Sequence, residues 1–204
     1  LNLTEDTIVI FFSDNGGLGG YAENGIDWND ITSQAPLRGG KGMLYEGGIR
    51  EPLIVKWPGV TEPGSECQDP VIGSDFYPTF LEIIGAASSK EILDGESIVP
   101  LLKQEGSLER DTLYWHFPAY LEGDNGTWRT TPAAALRHKN WKLIEFFEDN
   151  TLELYDLKED IGEKNNLAEE LPEKTEELHQ LMKQWRKKTE APVPTEKNPD
   201  YEGN

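Results

Sequence analysis

The stretch Thr7-Ile8-Val9-Ile10-Phe11-Phe12-Ser13-Asp14-Asn15-Gly16-Gly17 decides the fold class. Its first half is apolar or β-branched throughout, without the alternation of a strand wet on one face. Continuous runs of this kind mark strands covered on both faces, typical of a parallel sheet flanked by helices. The run stops abruptly, and Asp14-Asn15 follow at once. In open α/β sheets ligands bind just beyond the carboxyl ends of the strands. A carboxylate beside an amide oxygen suits a hard cation such as Ca²⁺ or Mg²⁺. The competing reading is a hairpin, since Asn-Gly is a strong turn signal. Leu18 to Asn24 do not return as a strand, which favours the ligand-bearing strand end.

Residues 18–38 then read as a long polar, Gly-rich surface loop, of the kind that carries function in compact domains. It leads into Arg38-Gly39-Gly40-Lys41-Gly42. Glycines let backbone N–H groups approach an anion closely, and Lys41 adds a compact positive charge. The alternative is an ordinary flexible loop; the P-loop spacing is absent. A second strand, Leu53 to Trp57, ends at Pro58-Gly59. A helix is predicted from Ser74 or Asp75, with Phe76, Phe80 and Ile84 on one face and Gly85 closing it. Asp94 to Leu102 reads as an ordered loop and short helix.

After Glu109 the texture changes to short strands at 113–117, 133–137, 141–147 and 152–157, a small antiparallel sheet. Leu171, Leu178, Leu181, Met182 and Trp185 share one face of a final helix starting near Pro172. The Pro-rich tail beyond Lys188 is expected to be disordered. His116 sits in the aromatic run Tyr114 to Phe117, where it is either an edge residue of the sheet or a hydrogen-bond donor to an anionic substrate. His138 and His179 read as incidental, and Glu145, Glu148 and Asp149 as a solvated strand end and turn. The expected organisation is 1–109 as a core portion, 110–188 as an α+β subdomain and 189–204 as tail.

Composition narrows the function. Among 204 residues, 38 acidic side chains face 19 basic ones, a formal net charge of −19. Such a surface repels phosphate backbones and anionic lipid, so neither nucleic acid nor membrane is an expected partner. The single cysteine, Cys67, excludes an internal disulfide framework and a multi-thiolate metal site. Its acidic flanks oppose thiolate formation. No apolar run reaches the ~18 residues of a membrane span, and neither Gly-x-Ser-x-Gly nor His-Glu-x-x-His occurs. The chain opens on Leu1 and enters a core-type strand at once, as expected for a piece of something longer.

Several segments together resemble the sulfatase family, in particular its arylsulfatase-like members. Phe12-Ser13-Asp14-Asn15-Gly16-Gly17 is similar to the family's metal-binding strand end. Pro36-Leu37-Arg38-Gly39-Gly40-Lys41-Gly42, Glu46-Gly47-Gly48-Ile49-Arg50-Glu51-Pro52 and Trp57-Pro58-Gly59 resemble its most distinctive downstream stretch. Asp94-Gly95-Glu96-Ser97-Ile98-Val99-Pro100-Leu101-Leu102 resembles a further element, and Leu152 to Leu157 with Asn166-Leu167-Ala168 its C-terminal signature. The match runs in order over residues 4–185. It departs at Glu51, where an apolar residue is usual, and at Ile161, where Pro often sits. The Cys/Ser-x-Pro-x-Arg motif that yields the family's formylglycine nucleophile is absent; Cys67-Gln68-Asp69-Pro70 does not fit it.

The resemblance implies an α/β fold: the C-terminal part of an alkaline-phosphatase-like core sheet, then a small antiparallel sheet packed with a C-terminal helix. It implies a sulfuric ester hydrolase whose formylglycine and missing N-terminal half lie outside this chain, which is then inactive alone. Asp14 and Asn15 would contribute ligands to Ca²⁺ (Mg²⁺ possible), while Lys41 and His116 would bind and act on a sulfated small molecule or carbohydrate. Arg38 is expected to be structural. Selectivity is expected in residues 18–35 and 117–132. The strand at 7–12 would lack neighbours in this chain and be exposed. The parent is expected to be periplasmic or extracellular. The alternatives are a phosphatase or phosphonate hydrolase of the same superfamily, or a noncatalytic acidic binding module. Asn2-Leu3-Thr4 and Asn125-Gly126-Thr127 fit glycosylation sequons.

Overall fold

The computed structural model describes residues 1–22, 25–26, 31–86, 93–122 and 127–196. The sequon at 125–127, the loops at 18–35 and 117–132, and the tail beyond 196 therefore lie wholly or partly outside the described residues. In chain order the elements are β1 (Val9–Phe12), α1 (Glu46–Ile49), β2 (Leu53–Lys56), α2 (Phe76–Ile83), α3 (Val99–Leu102), β3 (Thr112–Phe117), β4 (Leu121–Glu122), β5 (Trp128–Thr130), β6 (Ala133–His138), β7 (Trp141–Phe146), β8 (Leu152–Asp156) and α4 (Pro172–Thr189). They form two compact units, 1–14 with 52–111 and 15–51 with 112–204. The Gly-rich loop at 38–48 thus belongs to the same unit as the C-terminal sheet.

In the first unit β1 pairs with β2, Val9 opposite Lys56 and Phe12 opposite Leu53, in an antiparallel ribbon. The parallel, doubly covered strand read from residues 7–12 is therefore corrected within this chain. Phe11 is 59% and Ile54 65% exposed. A two-stranded ribbon has too few neighbours to be covered on both faces: Phe12 meets the Phe76 ring at 5.0 Å, while Phe11 and Ile54 stay wet, as the resemblance led us to expect. The helix α2 starts after Asp75, as predicted. Asp75 is buried and accepts from the Ile72 N–H at 2.8 Å and the Glu96 N–H at 3.0 Å, and Arg110 grips it with both guanidinium nitrogens. Gly85 closes α2 with φ +64°, its N–H donating to the Glu82 carbonyl.

The second unit is built on the antiparallel sheet β3-β6-β7-β8, with β4 and β5 as a separate hairpin. Strand periodicity sends alternate side chains to opposite faces. Ala134, Leu136, Leu143 and Leu154 face α4 and pack on Leu178 and Met182. Ala135, Ile144 and Tyr155 point the other way, toward Leu44 and Tyr45 of the Gly-rich loop. The sheet is therefore a layer between the helix and the loop. Pro172 opens α4 at its first position, as predicted. Thr189 ends the helix, and the tail does not fray at once: the Pro192 carbonyl lies 2.6 Å from His116 Nε2. No helix among the described residues is long and apolar enough to cross a membrane.

Glu145 corrects a sequence reading. It is a buried anchor between sheet and helix, with Arg186 Nη1 at 2.6 Å and His179 Nε2 at 3.1 Å from its carboxylate. His179 is likewise turned to the sheet. Burial pushes the Glu145 carboxyl up, but the hydrogen bonds from His179 and Arg186 outweigh it and leave it lowered. A depressed folded value means that the stabilisation is complete above the ordinary glutamate value, about 4.3, and is lost as pH falls through the depressed one. Glu145→Gln is expected to lower stability near pH 7 by about 1.5–3 kcal/mol, and by progressively less in acid. Urea melts across pH 3–7 measure this; a pH-independent deficit would remove Glu145 from the role.

Candidate functional site

The boundary between the two units falls inside the strand-end motif. Asp14, exposed, is the last residue of the first unit, and Asn15 opens the second. Beyond Asn15 the chain interlocks with the Gly-rich loop. The Gly16 N–H donates to the Gly48 carbonyl at 3.2 Å, and the Lys41 N–H donates to the Gly17 carbonyl at 3.0 Å. These backbones approach closely only because side chains are missing. A Cβ on Gly16 would lie 2.0 Å from the Gly47 oxygen, and one on Gly40 2.0 Å from the Gly19 oxygen. The glycines at these two positions are thus required by packing, which answers the alternative of an ordinary flexible loop. The Lys41 carbonyl accepts from the Tyr21 hydroxyl at 2.9 Å, while the Lys41 side chain remains exposed. The structure therefore joins Gly16 and Gly17, which follow Asn15, to the Lys41 loop in one backbone cluster, with the Lys41 side chain exposed.

The loop is tied to the sheet by charge. Arg38 Nη1 donates to the Tyr155 hydroxyl at 3.0 Å and to the Glu163 carbonyl at 3.1 Å, and its guanidinium lies 3.8 Å from the Tyr45 ring centre. The hydroxyls of Tyr45 and Tyr155 both donate to Glu153 at 2.9 Å. Burial and the nearby Glu153 carboxylate push both phenols up, so they stay neutral donors. Behind them, Lys142 Nζ sits 3.0 Å from Glu46 Oε1 and 2.7 Å from Glu163 Oε1, with all three side chains buried. Burial raises both carboxyls. For Glu46 the attraction of Lys142, Arg137 and Arg50 wins and leaves it lowered. For Glu163, Lys142 and the Glu46 N–H pull it down, but burial, with the nearby Glu46 carboxylate, wins and leaves it raised.

Sequence reading missed this triad. Its signal is Lys142 inside the apolar strand Trp141 to Ile144, a charge that alternation places inward.

His116 is not brought to Lys41. Its ring contacts Phe147 and Trp185, so it lies on the α4 face, with the sheet between it and the Gly-rich loop. The cause is register: Trp115, one residue earlier, takes the loop side. The structure thus places His116, expected to bind and act on substrate, beside Phe147, Trp185 and the Pro192 carbonyl rather than with Lys41. Cys67 is exposed and free.

Asp14 and Asn15 offer oxygen donors of the kind a hard cation takes. Among the described residues no group of three His, Cys, Asp or Glu side chains gathers as a metal site. On the loop side of the sheet, Arg38, Tyr45, Trp128, Arg129 and Phe146 line a cavity of about 220 Å³. Trp128, whose ring lies 5.0 Å from that of Tyr120, is partly exposed at its rim.

Known proteins match this architecture. A sulfatase from Formosa agariphila is 36% identical over 202 residues, covering 94% of this chain and 35% of the relative. The solved structure of BT4656, in complex with its substrate D-glucosamine-2-N,6-O-disulfate, superposes with a TM-score of 0.73 at 30% identity, over 97% of this chain and 37% of that one. A phosphonate monoester hydrolase from Silicibacter pomeroyi is more distant, with a TM-score of 0.57 at 26% identity over 73% of this chain and 31% of its own. The chain spans about a third of the length of the curated relatives it matches. The fold is mixed α/β, the alkaline-phosphatase-like architecture of those sulfatases. The family model for N-sulphoglucosamine sulphohydrolase, C-terminal, matches residues 40–191, most of the chain, and with the ordered motifs and the interlocked glycine loop it follows that this chain belongs to the sulfatase family, as a C-terminal portion.

Proposed function

We propose that this chain is the C-terminal part of an enzyme that hydrolyses sulfate esters of sugars, with Lys41 as its clamp on the sulfate. The observation that carries the reading is the Lys41 loop, whose backbone is fixed by Gly17 and Tyr21 while the ammonium faces outward. A fixed cation stabilises charge developing on the leaving oxygen without reorganising in the transition state. Asp14 and Asn15 would hold part of the shell of a Ca²⁺ or Mg²⁺ ion. Such an ion, when bound, polarises sulfate oxygens and lowers the barrier to attack. The nucleophile, formylglycine by family resemblance, would come from outside this chain, which holds no Cys/Ser-x-Pro-x-Arg sequence. The rim of Trp128 beside Arg129 supports a sugar substrate, since an aromatic face takes a pyranose ring and a guanidinium takes its anionic substituent. The net charge of −19 argues against nucleic acid as a partner. A periplasmic or extracellular setting belongs to the same reading.

The test is release of inorganic sulfate. The complete enzyme containing this chain is expected to desulfate a sulfated hexosamine, and the 204-residue chain alone is not. Phosphonate monoester cleavage without any desulfation would move the reading to the second class. Turnover by the isolated chain would refute the need for an outside nucleophile.

A further inference from the structure

We propose that Glu163, held by Lys142, is a positioning residue for Lys41: it pins the neck of the loop on which the sulfate clamp is carried. The inference rests on the role given to Lys41 above and goes beyond it, because Glu163 lies 122 positions further along the chain.

The loop from Arg38 to Gly47 closes on itself, the Gly47 N–H donating to the Arg38 carbonyl at 2.8 Å. Lys41 projects from this ring. Glu163 grips both ends of it. Its carbonyl accepts from Arg38 Nη1 at 3.1 Å, and its carboxylate Oε2 accepts from the Glu46 N–H at 2.6 Å. The Glu46 N–H opens α1, so Glu163 also fixes where that turn of helix begins. The other carboxylate oxygen meets Lys142 at 2.7 Å, and Lys142 reaches on to Glu46 at 3.0 Å. Arg50 lies 3.4 Å from the far oxygen of Glu46. Glu163 is fully buried, and its backbone holds φ +50°, a conformation a side chain tolerates only where the surroundings impose it.

Stability alone gives no reason for this arrangement. Apolar residues of similar volume commonly serve a core as well as a buried ion pair does. An ionic clamp differs in direction: each bond fixes one atom of the loop relative to the sheet. A clamp of this kind matters when a cation must stand at one place relative to a reacting oxygen, where a displacement of about 1 Å can cost 10²-fold in rate. The chain segment carrying Glu163, residues 160–167, also overlaps the C-terminal signature, for which the chemistry at Lys41 otherwise has no use.

The experiment is a double-mutant cycle in the complete enzyme, measuring kcat and KM for a sulfate ester. Glu163→Gln is expected to lower kcat about 10–100-fold with KM changed less than about threefold. In the Lys41→Ala background the same substitution is expected to change kcat less than about threefold, since residues acting through one another are non-additive. Amide hydrogen exchange is expected to rise at Lys41, Met43 and Gly47 while β6 and β7 stay protected. If Glu163→Gln does not fold, Tyr155→Phe removes one partner of Arg38 together with the hydroxyl bond to Glu153, and is expected to lower kcat about 3–10-fold, again only when Lys41 is present. Effects that simply add in the double mutant, or a loop whose exchange is unchanged, would overturn the inference alone. Unchanged kinetics of Lys41→Ala by itself would overturn it together with its premise.

Discussion

Lys41→Ala in the complete enzyme is expected to lower kcat/KM for a sulfate ester by about 10²–10³-fold, the range seen when one donor to a developing oxyanion is lost. The fold should not change. The structural work at this position is done by the backbone, through the N–H to Gly17 and the carbonyl from Tyr21, and alanine keeps both. The side chain is exposed, so removing it leaves no cavity. Lys41→Arg should rescue only partly, because a planar guanidinium does not occupy the place of a compact ammonium. Steady-state kinetics with a thermal melt on the same samples decide the matter. Full activity with an intact melt would take Lys41 out of the site.

Lys142→Met is expected to cost about 3–5 kcal/mol, the usual penalty for removing one partner of a buried ion pair. Glu46 and Glu163 would remain, 2% and 0% exposed, without the ammonium between them. For a domain of this size that lowers the melting temperature by on the order of 10 °C. The pH dependence has a definite sign. Without Lys142, burial raises both carboxyls above their unfolded value of about 4.3. A raised folded value means the folded chain binds protons more tightly than the unfolded one, so the variant recovers stability at low pH and loses it as pH rises through the raised values. The unmodified chain should show far less of this, since Glu46 is lowered and Glu163 raised and their contributions oppose. Melts of both proteins between pH 4 and pH 8 measure it. A deficit that is small at pH 7, or that grows in acid, would contradict the triad.

The elements of the second unit and the family were legible in local features of the chain. Short apolar runs at 133–137 and 141–147, the turn residue Asn140 between them, and the apolar stripe from Leu171 to Trp185 with Pro172 at its head are local signals, and β6, β7 and α4 follow them closely. The helix after Asp75 and its Gly85 stop were legible for the same reason. The glycines around Lys41 were visible as an unusual run, and the ordered motifs named the family.

Which face meets what was set by long-range packing. Alternation says that Trp115 and His116 point to opposite sides, but not which side the loop will cover; packing gave it to Trp115 and left His116 under the tail. A continuous apolar run says that a strand expects cover, but not that β1 pairs antiparallel with β2 and stays exposed in this chain. Glu145 reads as a solvated strand end until α4 brings Arg186 to it. Glu46, Lys142 and Glu163 carry no local signal of one another, because their meeting depends on loop closures about 100 residues long. Periodicity is a property of neighbouring residues and survives in the sequence. A buried charge is stable only with its partner, and that partner is supplied by the fold.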